Sequence, residues 1–222
     1  MTTVAIMQPY FFPYAGYFRL FAQCDHFVLY DCVQFPRRGW VHRNRLPDAT
    51  GEAQWLTLPI DKAPQEVAIR DLGFAKDAQQ RFAEACRRFP SLGRPAEALP
   101  ACFRVLGGSL VDWLEDSLRE SCARLGLRSK MIRSSSLEIG SALRGQDRIL
   151  AIVKALGGTR YLNAPGGRDL YDPEVFAAAG IELSFLEPYQ GPSWSILQRF
   201  MTEEAGDLAA EIRGEHRQLS LT

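Results

Sequence analysis

Two short apolar runs with a helical pattern between them constrain this fold more than any other feature. Val4, Ala5, Ile6 and Met7 run without a polar break and stop at Gln8 and Pro9, which reads as a buried strand. Residues 9–13 cannot form a regular helix, because their two prolines lack an amide donor and each holds the preceding residue extended. They form a loop at the strand's end. From Gly16, a helical pattern sets Tyr17, Leu20, Phe21 and Cys24 on one buried face. Residues 26–30 supply the next strand. Strand, aromatic loop, helix, strand is a βαβ opening, and such units imply a parallel sheet covered by helices. The two strands are expected side by side, parallel, in the sheet's interior.

The rest of the chain continues the alternation. Strands are expected at 55–60, 67–72, 132–137, 160–162 and 181–186. Helices are expected at 77–89, stopped by Pro90, at 110–125, stopped by Gly126, at 146–156 before Gly157 and Gly158, and at 203–213. No internal repeat interrupts this. The proline-flanked stretch 95–100 is the best linker, but reads as joining two helices rather than two domains. A chain of 222 residues can bury one good core, and a single α/β domain over 1–222 is expected.

Charge excludes some functions. Lys plus Arg number 26 and Asp plus Glu 26, so the basic excess of a duplex-binding protein is missing and DNA is not the expected partner. No stretch reaches the roughly 18 apolar residues of a membrane span. The start lacks the basic and apolar regions of an export signal, so a cytoplasmic protein is expected. The five cysteines are odd in number and form no C-x-x-C pair, which suits reduced, mostly buried thiols. His26, His42 and His216 are too far apart in sequence to suggest a metal centre. G-x-S-x-G, Walker A and G-x-G-x-x-G are all absent.

Three segments have unusual chemistry. Residues 8–18 hold Gln8, Tyr14, Gly16 and Tyr17 in a stiff aromatic loop at a strand's carboxyl end, where open α/β sheets bind ligands; the following helix would aim its amides at a phosphate there. The plain alternative is an aromatic plug. Residues 30–45 contain Asp31, Gln34, Arg37, Arg38, Trp40, His42, Arg43, Asn44 and Arg45, and the 37–45 segment reads as a clamp for a second anionic group. Arginine forks suit phosphate or carboxylate and tryptophan can stack on a base or sugar, whereas a solvated basic face is the bland reading. Residues 161–172 include Asn163, Gly166 and Gly167, whose small size would let backbone amides approach a ligand, although most such loops are turns. Ser193 and Ser195 read as a helix N-cap pair, or as anion donors.

Together these motifs resemble the WbqC-like family. The resemblance rests on residues 7–18, on 30–35 with Gly39, Trp40, Arg43 and Asn44, and on Gly145, Gln146, Asp147 and Arg148. It continues through 157–163 with Gly166 and Gly167, then 170–172 with Gly180 and Ile181, and so covers nearly the whole chain. Two positions depart from the family pattern: Cys32 stands where a second acidic residue is usual, and Leu197 where an aspartate commonly follows the Ser-Ile step. More distantly, residues 13–17 look like the H-x-G-H loop of the nucleotidylyltransferase superfamily with each histidine replaced by tyrosine. Tyr14 and Tyr17 would then donate to phosphate as neutral groups, with Arg37, Arg38, Arg43 and Lys130 supplying charge.

The fold expected is a three-layer, Rossmann-like α/β domain with a mainly parallel sheet and helical additions. The resemblance implies a transferase attaching an acyl or aminoacyl group, such as glycyl, to the amino group of a nucleotide-linked sugar in O-antigen, surface polysaccharide or related biosynthesis. The alternative is a non-catalytic sugar-nucleotide or carrier-binding module. Asp31, at a strand end, and His42, by its reference pKa, are the candidate proton acceptors. Gln8, Tyr14, Gly16, Tyr17, Gln34, Arg37, Arg38, Trp40, Arg43, Asn44, Asn163, Gly166 and Gly167 are the candidate binding residues. ATP is a candidate cofactor, no metal is expected, and the oligomeric state is left open.

Overall fold

Strand β1 (Thr3–Met7), helix α1 (Ala15–Gln23) and strand β2 (His26–Leu29) build the opening unit in a computed structural model that describes residues 1–93 and 99–215. The expected linker at 95–100 lies largely outside the described residues, and His216 wholly so. β1 and β2 pair in parallel, Val4 opposite His26 and Met7 opposite Leu29. A hairpin of β3 (Arg43–Pro47) and β4 (Ala53–Thr57) follows, then α2 (Ala78–Cys86) and α3 (Leu110–Arg124). The chain continues through β5 (Lys130–Arg133), α4 (Gly145–Ala155), β6 (Arg160–Asn163), α5 (Pro173–Ala178) and β7 (Glu182–Phe185). It closes with α6 (Ile196–Thr202) and α7 (Ala205–Arg213).

The main sheet has five parallel strands in the order β5-β2-β1-β6-β7. The chain moves outward from β1 through β2 to β5, then returns to β1's other side and moves outward again through β6 to β7. Such a reversal opens a crevice beyond the carboxyl ends of β1 and β6, the switch point of a doubly wound sheet. Strand alternation fills both faces. Val4, Ile6, Val28 and Tyr161 pack on Ile149, Ile152 and Val153 of α4 and Phe176 of α5. Ala5, Phe27, Leu29 and Leu162 share the opposite cluster with Phe21 of α1, Leu118 of α3 and Leu208 of α7. Phe21 stacks on Phe27 with ring centroids 3.6 Å apart. The three-layer α/β architecture expected from the sequence is present. The additions lie between β2 and α3, and their Leu46, Leu56, Ile69 and Phe82 join the α1 cluster.

Several boundaries differ from expectation. The strand expected at 55–60 ends at Thr57 and pairs antiparallel with β3, which the arginine run had hidden. The stretch 67–72 makes a single bridge, Ala68 to Gln34, and then a 3-10 turn at Ile69–Asp71. The strand expected at 132–137 is β5, ending at Arg133; Ser134–Ser136 turn instead, because their hydroxyls and an amide bind Asp31. The terminal helix starts at Ala205 and is preceded by α6, whose N-cap is Ser195: its Oγ accepts from the Leu197 amide at 3.3 Å. All five cysteines are free. Among the described residues no helix is long and apolar enough to cross a membrane.

Candidate functional site

A cleft of about 640 Å³ opens at the switch point. Met7 and Gln8, leaving β1, form one wall; Asn163, Pro165, Gly166 and Gly167, leaving β6, form the other. Tyr14, Gly16 and Tyr17 bring the start of α1 to its edge, and Glu187, Pro188 and Tyr189 close it beyond β7. Tyr14 caps α1 without a side-chain hydrogen bond, so no side-chain oxygen from the cap covers the first-turn amides, and the positive end of the helix meets the cleft.

Tyrosines are the commonest residue of this lining. Six of the chain's seven tyrosines reach it: Tyr10, Tyr14, Tyr17, Tyr30, Tyr171 and Tyr189. Burial raises the phenols of Tyr10 and Tyr14, lifts Tyr17 well above its ordinary value and pushes Tyr30 up to about 12. At neutral pH they are uncharged donors. Tyr17 donates to the Gln8 carbonyl at 2.8 Å. Arg19 is the sole cation of the lining and Glu187 the sole carboxylate among the described residues. The Arg19 guanidinium donates to the Glu187 carbonyl at 2.7 Å. Tyr189 is fixed from behind by buried Arg199, which donates to its hydroxyl at 2.7 Å and pairs with Glu203 and Glu211.

The loop between β1 and α1 is tied down. Phe12 has a φ of 39°, the one positive value outside glycine among the described residues. Buried Asn44 donates from Nδ2 to the carbonyls of Phe11 (3.0 Å) and Phe12 (2.7 Å), and Ser195 Oγ donates to the same Phe12 carbonyl at 2.6 Å. Such a corner persists only where its surroundings over-determine it. Two glycines are also required by close approach. A Cβ on Gly16 would fall 2.3 Å from the Tyr14 ring, and one on Gly167 would fall 2.3 Å from Asn163 Nδ2. Gly166 instead faces open space.

A second cavity of about 200 Å³ shares Tyr10 and Tyr14 with the cleft and adds Pro13, Trp40, Asn44, Arg45 and Ser193. The expected binding residues therefore divide. Gln8, Tyr14, Gly16, Tyr17, Asn163, Gly166 and Gly167 meet at the cleft, and Trp40 and Asn44 line the second cavity. Gln34, Arg37, Arg38 and Arg43 line neither. Gln34 donates to the Gln65 carbonyl, and Arg37 to those of Ala63 and Pro64. Arg43 donates to the carbonyls of Arg38 and Gly39 while lying 4.2 Å from the centre of the Trp55 ring. Lys130 sits opposite His26 at the amino end of the parallel sheet, away from the cleft.

Neither expected proton acceptor lines the cleft. Asp31 is fully buried and accepts from Ser134 Oγ (2.8 Å), the Ser135 amide (2.9 Å) and Ser135 Oγ (2.5 Å), tying the end of β2 to that of β5. His42 packs edge-on against Phe35, and burial, then the charge of Arg43, lowers its pKa to about 4. Because the folded value lies below the ordinary one, the unfolded chain takes the proton first. This contribution to stability is complete above about pH 6.5 and declines as the pH falls toward 4, by on the order of 1–2 kcal/mol after discounting for partial exposure. Urea unfolding of wild type and His42→Phe at pH 7.5 and 4.5 should show a smaller acid loss in the variant.

An uncharacterized protein of Mycobacterium tuberculosis (strain ATCC 25618 / H37Rv), Rv1507c, is 27% identical over 202 residues, spanning 86% of this chain and 84% of the relative. No solved structure matches. The WbqC-like protein family matches residues 8–202, from Gln8 at the mouth of the cleft to the last residue of α6. By that match, the chain belongs to the WbqC-like protein family.

Proposed function

We propose that this chain binds a nucleotide-linked sugar in the switch-point cleft and transfers an acyl or aminoacyl group to its amino group, in the cytoplasm, during surface polysaccharide or related biosynthesis. The observation carrying this reading is the position of the cleft, between the carboxyl ends of β1 and β6 and against the start of α1. That is where doubly wound sheets hold phosphorylated ligands. The phosphates lie against the first turn of α1, with neutral tyrosine hydroxyls as donors and Arg19 as the cation. Gly166 leaves room for a ligand to approach the backbone on the far wall. Membership of the WbqC-like family supports a sugar substrate.

Transfer from an activated acyl donor forms the amide C–N bond, breaks the bond between the acyl carbon and the donor's leaving group, and releases the amine's proton, which the departing group can take up. Asp31 and His42 act structurally in this reading, and Glu187 is the carboxylate within reach of the cleft. The binding-module reading is favoured by one observation: among the described residues no histidine, cysteine or aspartate lines the cleft.

The test is a thermal-shift and calorimetric screen against UDP- and TDP-sugars, ATP and amino acids. One class of nucleotide sugar should bind, adding about 2.7 kcal/mol of stability at 100 times its Kd. Gln8→Ala should weaken that binding. A screen in which no nucleotide sugar binds overturns the reading. Binding without consumption of an amino sugar, with acyl donors and ATP supplied, leaves the module.

A further inference from the structure

We infer that the second cavity is an anion subsite anchored by Arg45, which takes a compact carboxylate or phosphate group beside the ligand of the main cleft. This deepens the proposed function and rests on it for the identity of the neighbouring ligand.

The β3–β4 hairpin creates the site by alternation. Arg45 stands opposite Trp55 and Asn44 opposite Leu56. Asn44, Leu46 and Leu56 are buried, so Arg43, Arg45 and Trp55 share the outer side. The two arginines on that side differ. The N–H groups of Arg43 are directed at the carbonyls of Arg38 and Gly39. The guanidinium of Arg45 lies 5.5 Å from the Trp40 ring centre and 5.7 Å from that of Trp55, and the indoles themselves are 5.2 Å apart. Among the described residues no carbonyl or carboxylate accepts a hydrogen bond from the Arg45 guanidinium.

Stacking engages the face of a guanidinium and leaves its in-plane N–H fork for a bidentate anion. The lining of this cavity contains no carboxylate to compete for that fork, and Ser193 adds a hydroxyl donor. At about 200 Å³ the space is below the roughly 300–1,000 Å³ of ordinary ligand pockets, so it suits one compact group rather than a whole nucleotide. Its shared walls, Tyr10 and Tyr14, place that group next to the main cleft. The group is the anionic end either of a second reactant or of an extended first ligand.

The experiment titrates ¹⁵N-labelled protein with inorganic phosphate and, separately, with acetate, at constant ionic strength, following the indole N–H signals of Trp40 and Trp55. At least one anion should shift both signals saturably. Arg45→Gln should raise the dissociation constant at least tenfold with the remaining amide spectrum preserved, and Arg45→Lys should fall between. Arg81→Gln, which removes the same charge from the surface of α2, should stay within twofold of wild type. A response to phosphate alone identifies a phosphoryl group, and a response to acetate alone a carboxylate. No saturable shift with either anion, or an equal response in Arg45→Gln, overturns the subsite. The nucleotide-sugar screen is read separately: failure there with the indole shifts intact removes the main-cleft reading and keeps the subsite.

Discussion

Asp31→Ala should destabilise the protein by about 3–5 kcal/mol, and Asp31→Asn by only about 1–2, when both are unfolded in urea at neutral pH. The carboxylate is fully buried and receives two hydroxyl hydrogens and one amide hydrogen from the Ser134–Ser136 turn. Hydrogen bonds to a charged acceptor are the stronger kind, and truncation leaves three donors, one buried and two part-buried, facing a hole. Asparagine preserves the shape and one carbonyl oxygen. Its amide meets a serine hydroxyl, which can rotate and accept. The ordering of the two variants is therefore set by unsatisfied donors rather than by charge alone. The Asp31 carbonyl also accepts from the Arg70 amide at 2.9 Å, so loosening this residue loosens the entry to the inserted hairpin region. A proton-accepting role makes the opposite forecast: Asp31→Asn would melt like wild type while losing turnover. Equal stability of all three proteins would remove the structural account.

The parts of the fold that could be read from the sequence are those in which local pattern and tertiary burial agree. The opening unit was legible because β1 and β2 are apolar on both faces and α1 buries one continuous stripe. β5 reads as displaced because Met131 is its one buried residue and charged Lys130 and Arg133 form its two ends, so the periodic signal slides toward Ile132 and Leu137. β3 was invisible for a related reason. Its buried positions are Asn44 and Leu46, and Asn44 faces inward to hold the carbonyls of Phe11 and Phe12, a partnership with no local trace.

Within the candidate site, residues that follow a strand directly were placed by topology: Gln8 after β1, and Asn163, Gly166 and Gly167 at the end of β6. Those arriving from elsewhere were not. Arg19 is one helical turn beyond the loop, and Tyr189 comes from beyond β7, held by Arg199 of α6. The arginine-rich run shows the limit most clearly. Density along the chain is not convergence in space: Arg37 and Arg43 serve backbone carbonyls of their own region, while Arg45, indistinguishable in composition, keeps its fork open. Arg43 and Arg45 share one side of β3, so what separates them is the neighbours each meets: the carbonyls of Arg38 and Gly39 for Arg43, two indoles for Arg45.

Gly16→Ala should lower the affinity for the nucleotide sugar that binds best in the screen by at least tenfold, about 1.4 kcal/mol, while costing less than about 2 kcal/mol of stability. The two effects separate because their causes do. Gly16 is the second residue of α1, so an added methyl gains only part of the roughly 1 kcal/mol of an interior position, while overpacking a tight site costs about 1–3 kcal/mol; the stability terms partly offset. Nothing offsets the loss at the cleft. The new Cβ would lie 2.3 Å from the Tyr14 ring and 2.9 Å from Tyr189 Cβ. The Tyr189 Cβ is anchored to its backbone, which must yield slightly, and the Tyr14 ring, the closer of the two, must move further. Tyr14 stands between the two cavities and lines both, so its displacement narrows one of them whichever way it swings. Gly166→Ala is the comparison. Its Cβ meets nothing within 4 Å, so stability should hold within about 0.5 kcal/mol, and any loss of affinity then reports a ligand touching the β6 wall. Calorimetry and urea unfolding on both variants separate these effects. Wild-type affinity in Gly16→Ala would mean that the ligand does not approach the start of α1, and the phosphate-binding role of that helix would have to be abandoned.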